Sequence, residues 1–308
     1  MSSKSNMLVS LVIIAIIFGG VGAMIFVAAP YDPPEIAIVM MAPGFGDMSK
    51  ADNIQEGMDE ISGDIVVRYY IPSTLPTTVT QAREIIESLV RTNDYDLIIG
   101  VGADMAPAVQ TAATNYPLQK FGMIGANVAL DNVASSTFAT EQSGFLAGVV
   151  AAFLANDQPY FGHEPFDGEI GILAAQENDV ELLPMINGFI QGVEAANETY
   201  NLNVTITEID YINSWNNTLV AQTKTASMFA GGISVIFAPV RASILGVRLG
   251  MLQAANSFSF AENAAGRMPL VIAAEGNQDY FGCTNPDIPV APSWIATSAI
   301  ARTDLALY

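Results

Sequence analysis

Cysteine and histidine are all but missing from this chain: in 308 residues Cys283 is the one thiol and His163 the one imidazole. A lone cysteine permits no intramolecular disulfide and no thiolate metal cage, and a lone histidine supports neither a Ser-His-Asp triad nor a multi-histidine metal centre. Cys283 reads as a small buried hydrophobe, because its flanks, Tyr280-Phe281-Gly282 and Thr284-Asn285-Pro286, carry no positive charge to activate a thiol. Positive charge is scarce throughout. Eleven Lys and Arg stand against 31 Asp and Glu, a formal net charge of −20 that would repel nucleic-acid phosphates, so no nucleic-acid partner is expected. Charged residues amount to only 14% and hydrophobic ones to 51%, which excludes a disordered polyelectrolyte.

Catalytic signatures are absent as well. There is no GxxxxGK[ST] phosphate loop, and Gly100-Val101-Gly102 lacks the third glycine and the acidic residue of a dinucleotide site, which leaves structural turn glycines. The carboxylates Asp47, Glu141, Glu177 and Glu275 fall on separate elements without a hydrolytic pattern. The expectation is a protein that is not an enzyme, with no cofactor and no metal.

What is present begins with an uncharged run, residues 7–29, MLVSLVIIAIIFGGVGAMIFVAA. As a helix rising about 1.5 Å per residue it would just cross a hydrocarbon core of about 30 Å. It is expected to be a single transmembrane anchor, with a cleaved secretory signal as the alternative. Lys4 precedes the run while Asp32 and Glu35 follow, which places residues 1–6 in the cytoplasm and the acidic domain outside the cell membrane. No cysteine follows the run to take a lipid. Three N-x-[ST] sequons, at Asn197, Asn203 and Asn216, suit an external surface.

After a stiff linker, 30–34, the pattern becomes a strict alternation of apolar strands and amphipathic helices. Glu35-IAIVMM, Asp64-IVVRYYI, Tyr95-DLIIGVG and Phe121-GMIGA read as strands with helices over 52–62, 77–92 and 105–115 between them. The second series runs helix 142–156, strand Glu169-IGILAA, helix 184–196, strand Asn203-VTITEID, helix 218–230, strand Ile233-SVIFAP, helix 241–256 and strand Pro269-LVIAAE. Continuous apolar strands joined by helices predict right-handed parallel sheets covered on both faces, with ligand-facing loops at the carboxyl ends of the strands. The fold class is therefore α/β, two similar doubly wound lobes: lobe 1 over 35–135 and 295–308, cut short at its end, and lobe 2 over 136–294.

Four stretches carry a resemblance: Asp131-NVASSTFATEQSGFLAGVVAA, the pair Gly188-Phe189 with Gly192, Gly232-ISVIFAP, and Thr297-SAIARTDLALY. Over 35–308 the chain resembles the basic membrane protein group of ABC-transporter solute-binding proteins, similar to bacterial purine nucleoside receptors. That resemblance implies the type I periplasmic-binding-protein fold, a small-molecule ligand held between the lobes, and an ABC permease in the same membrane as partner.

The ligand-binding candidates follow from the same resemblance. Asp47 and Ser49 match the family's first loop, while Lys50 and Ala51 replace its Phe and Asn. Asp47 offers a carboxylate to ligand hydroxyl or amino hydrogens, or alternatively a helix cap. Phe189 and Trp215 are candidates to stack on a flat ring, with core packing the alternative for Phe189. Glu275 keeps an acid, followed at Gln278 by the family's glutamine. Arg241 stands where the family has glycine and could pair with an anionic group, or could be a solvated helix-start residue. The family's ligand-contacting lysine is Ala301 here. A tethered surface sensor or structural surface protein without transport is the alternative function.

Overall fold

The computed structural model describes residues 12–18, 21–27, 33–46, 48–64, 66–156, 168–257, 269–283, 285–289 and 293–307. The expected transmembrane helix over 7–29 is not what its described part forms. Val12–Phe18 (β1) and Val21–Val27 (β2) pair antiparallel, from Val12 opposite Val27 to Phe18 opposite Val21. The physical reason is legible afterwards: both runs are rich in Ile, Val and Phe, which favour strands, and Gly19-Gly20 between them is a hairpin sequence. Among the described residues no helix is long and apolar enough to cross a membrane.

The rest follows the alternation. The first lobe is a parallel sheet of Glu35–Met40 (β3), Arg68–Tyr70 (β4), Leu97–Val101 (β5), Phe121–Ile124 (β6) and Val133–Ser136 (β7), in the order β4-β3-β5-β6-β7. Lys50–Asp64 (α1) covers one face; Val79–Thr92 (α2) and Ala106–Asn115 (α3) cover the other. Because both faces are packed, Ala37, Ile38, Val39 and Met40 are all buried, which is why β3 reads as an unbroken apolar run. Helix α2 starts on a cap, Thr78 accepting from the Gln81 N–H, and ends at Asn93 in the left-handed conformation, φ 57°.

In the second lobe the strands Glu169–Ala174 (β8), Thr205–Tyr211 (β9), Val235–Ala238 (β10), Leu270–Glu275 (β11) and Ile295–Ile300 (β12) form a second parallel sheet, in the order β12-β11-β10-β8-β9. Thr140–Asn156 (α4) and Leu182–Tyr200 (α5) pack on one face, Thr218–Ala230 (α6) and Ile244–Ser257 (α7) on the other. Residues 295–300, expected in the first lobe, pair with β11 in the second. The chain returns to the first lobe just after them, where Thr303–Leu307 packs on α1.

Helices α4 and α5 lie backbone to backbone. A Cβ on Gly144 or Gly148 would sit 2.0 or 2.1 Å from the carbonyl oxygen of Met185 or Phe189, and one on Gly188 or Gly192 would sit 2.0 or 2.1 Å from that of Glu141 or Phe145. Two glycines spaced by four on each helix thus mesh with the opposite backbone, so α5 is carried close against α4 and its first turn is set at the edge of the interlobe cleft.

Candidate functional site

The carboxyl ends of both sheets face one another across a cleft with a cavity of roughly 270 Å³. Lobe 1 contributes the loop after β3 and the turn after β5; lobe 2 contributes the loops after β8, β9 and β10. The first loop is fixed by Asp52, whose carboxylate accepts the N–H of Gly46 at 2.6 Å and of Met48 at 2.8 Å. The loop leading into α5 is fixed by Asp179, which accepts the N–H groups of Glu181 at 2.9 Å and Leu182 at 3.1 Å. These two carboxylates hold the segments that carry Lys50 and Glu181 at the cleft.

A chain of ion pairs crosses the opening. Glu181 of lobe 2 meets Lys50 of lobe 1 at 2.6 Å, accepts the Ala103 N–H of lobe 1 at 3.3 Å, and meets Arg241 of its own lobe at 3.2 Å. Arg241 turns its Nε to Glu275 at 2.5 Å, and its guanidinium lies 3.9 Å from the centre of the Trp215 ring. Burial would raise the Glu181 carboxyl, but the charge and hydrogen bond of Lys50 and the charge of Arg241 outweigh it and hold the group below its ordinary 4.5. Asp104, in the turn after β5, moves the other way: burial, and then the charge of Glu181, raise its carboxyl above the ordinary 3.8 against the pull of Arg241 and Lys50.

Of the residues singled out from the sequence, Ser49, Trp215 and Arg241 line the cleft. Ser49 is buried, and its hydroxyl accepts the Ala51 N–H at 3.3 Å, a local contact at the start of α1. Glu275 stands directly behind Arg241, buried and ion-paired to it. Phe189 is a correction: it is fully buried in α5 and stacked on Phe237, ring centres 4.4 Å apart and planes 4° from parallel, so it is a core residue and faces no ligand. Asp47 lies outside the described residues. The sequon asparagine Asn197 spends its side chain on Val204, donating to its carbonyl at 2.7 Å and accepting from its N–H at 3.2 Å.

Sequence reasoning missed Glu181 and Asp104 and named Lys50 only as a departure. No local pattern marks them; Lys50 and Glu181 meet only because two lobes face each other. Gln278 has a role besides: it is fully buried and donates to the Met48 carbonyl at 2.6 Å, while Asn53 donates to the carbonyls of Glu275 at 3.4 Å and Ala301 at 3.1 Å. These bonds stitch the two lobes together beside the cleft.

Two doubly wound lobes with a polar cleft at their facing strand ends define a binding-protein architecture. The chain belongs to the Bmp family of PnrA-like ABC transporter substrate-binding proteins, whose model matches residues 35–300. It is 26% identical over 189 residues to the ABC transporter nucleoside-binding protein BmpA of Lactococcus lactis, covering 61% of this chain and 48% of that one. It is 27% identical to basic membrane protein B of Borreliella burgdorferi, covering 71% and 55%, and 22% identical to an uncharacterized lipoprotein of Pyrococcus abyssi, covering 98% and 68%. The chain thus spans about half the length of BmpA and of basic membrane protein B. Among solved structures, the solute-binding protein of an ABC transporter system from Aeropyrum pernix matches with a TM-score of 0.71 at 23% identity, covering 90% of this chain and 69% of that one. A periplasmic solute-binding protein from Actinobacillus succinogenes matches at 0.56 and 17%, covering 79% of each. These likenesses establish the fold.

Proposed function

We propose that this chain is the solute-capturing component of an ABC importer, working on the outer face of the cell membrane and binding a small polar ligand, a purine nucleoside, between its lobes. The observation that carries the reading is the cleft itself: polar and aromatic side chains from both lobes converge on one cavity, and Glu181 ties the lobes together across it. A site whose walls belong to two bodies is suited to capture by closure. Membership of the Bmp family and the nucleoside-binding name of the Lactococcus relative direct the choice of ligand. Trp215, Arg241 and Ser49 are the residues proposed to meet it, with Glu275 holding Arg241. The ABC permease is the proposed partner, and the uncharged stretch 7–29, together with the lipoprotein names of the archaeal relatives, supports attachment to the membrane surface.

Thermal melting of the purified protein against panels of nucleosides, sugars and amino acids tests this. A ligand present at a hundred times its Kd adds about 2.7 kcal/mol of stability, a readily measured rise in Tm. The expected result is a rise confined to nucleosides; no rise with any of the three panels refutes solute capture by this cleft.

A further inference from the structure

The charges lining the cleft do not cancel, and the one left over is specific. Lys50 is ion-paired to Glu181, and Arg241 to both Glu181 and Glu275. Asp179 spends a carboxylate oxygen on the first N–H groups of α5. Asp104 has no such partner among the described residues: it lies in the turn Ala103–Met105 that follows β5, exposed to the cleft, and its carboxylate is hydrogen-bonded to its own backbone N–H. The two cations that act on it, Arg241 and Lys50, are ion-paired to Glu181 and Glu275, and the like charge of Glu181 acts against them.

The surrounding backbone keeps this carboxylate in place and the approach to it open. Gly102, at φ 97°, precedes the turn; a Cβ there would sit 2.7 Å from the Asp104 Oδ1, so any side chain would displace the group. Gly125, at φ 101°, ends β6 alongside, and the nearest atom to a Cβ placed on it would be the Ala103 nitrogen, 3.6 Å away. Gly102, which lines the cleft, thus leaves bare backbone beside the carboxylate against which a flat ligand edge can lie.

We propose that Asp104 contacts the ligand and sets its specificity, accepting hydrogen bonds from an amino or amidine edge, the kind of group that donates and does not accept. The proposal rests on the cleft being the ligand site. An ionised carboxylate facing such an edge gains charge-assisted bonds, whereas a carbonyl or ring nitrogen in the same place would meet it lone pair to lone pair. The raised carboxyl of Asp104 agrees with this: burial first, and then the charge of Glu181, raise it by more than Arg241 and Lys50 lower it.

Titration calorimetry with matched ligand pairs decides it. Guanosine and inosine differ by one amino group, as do adenosine and purine riboside; agmatine serves as a cationic probe without a nucleoside. A hydrogen bond to a charged group contributes about 1.5 to 3 kcal/mol, so the amino-bearing member of at least one pair should bind about tenfold tighter or more. In Asp104→Asn and Asp104→Ala, each checked for an unchanged Tm, that preference should fall to about twofold or less on the same scale. Equal binding within both pairs, or a preference that survives both substitutions, overturns the role of Asp104 and leaves nucleoside capture standing. Binding of agmatine alone, lost in both variants, supports the role of Asp104 and overturns the nucleoside. Binding of no probe overturns both.

Discussion

Arg241, three residues past the end of β10, and Glu275, the last residue of the neighbouring parallel strand β11, meet at 2.5 Å with both backbones in the left-handed region, φ 48° and 75°. Neither residue is glycine, so each conformation carries a local cost of about 1 kcal/mol or more that the surroundings must outweigh. The bend aims both side chains at one point, where the guanidinium also lies over Trp215 and reaches Glu181. Arg241→Ala should therefore destabilise the protein by about 3 kcal/mol, because it strands the buried Glu275 carboxylate. Chemical denaturation of R241A, E275A and the double variant should give a coupling energy of about 1 kcal/mol or more, with the double variant more stable than the sum of the singles implies.

Glu181 gives the cleft a pH signature. Its folded-state carboxyl lies below the ordinary 4.5, so the stability it contributes is fully present above that value and is lost as pH falls through the lower folded one. The Tm advantage of the wild type over Glu181→Gln should be constant near neutrality and shrink under acid. Small-angle scattering of E181Q should also show a larger radius of gyration, since the substitution weakens the bond to Lys50 across the opening.

The α4–α5 contact predicts a sharp contrast on one helix. Gly148→Val places a side chain where the Phe189 carbonyl already lies, and the helices must part, at a cost of about 3 kcal/mol or more. Leu146→Ala, two residues away but 65% exposed, should change stability by only about 0.5 kcal/mol. Denaturation midpoints compare the two directly.

Trp215 can report on the cleft. The chain has two tryptophans, Trp215 and Trp294, and only the first lines the cavity. Guanosine should change the fluorescence of Trp294→Phe and leave that of Trp215→Phe unaltered.

The lobes were readable because their strands are parallel and covered on both faces, so that Ile36–Met40 and Val235–Ala238 stand out as unbroken apolar runs between amphipathic helices. The same property misleads at the N-terminus, where a long apolar stretch of Ile, Val and Phe satisfies the length of a spanning helix and the chemistry of a hairpin equally well. The edge strand β12 pairs with β11 in the second sheet, a partner that periodicity cannot reveal because it carries no pairing information. At the site, Trp215 and Arg241 could be placed by their position after strand ends. Phe189 could not be told from a ligand platform, since its burial depends on Phe237, 48 positions later by sequence number, stacking on it. Glu181 and Asp104 stayed silent because their meaning is electrostatic and arises only when Lys50, Arg241 and Ala103 are brought around them.

Calorimetric titration of the purified protein with guanosine, repeated on Arg241→Ala and Trp215→Ala, tests the assignment of the cleft most directly. One site per chain, with affinity about tenfold weaker or worse in both variants, is the predicted result. Guanosine binding that neither substitution weakens, or the absence of any heat with guanosine, adenosine or inosine, would contradict it.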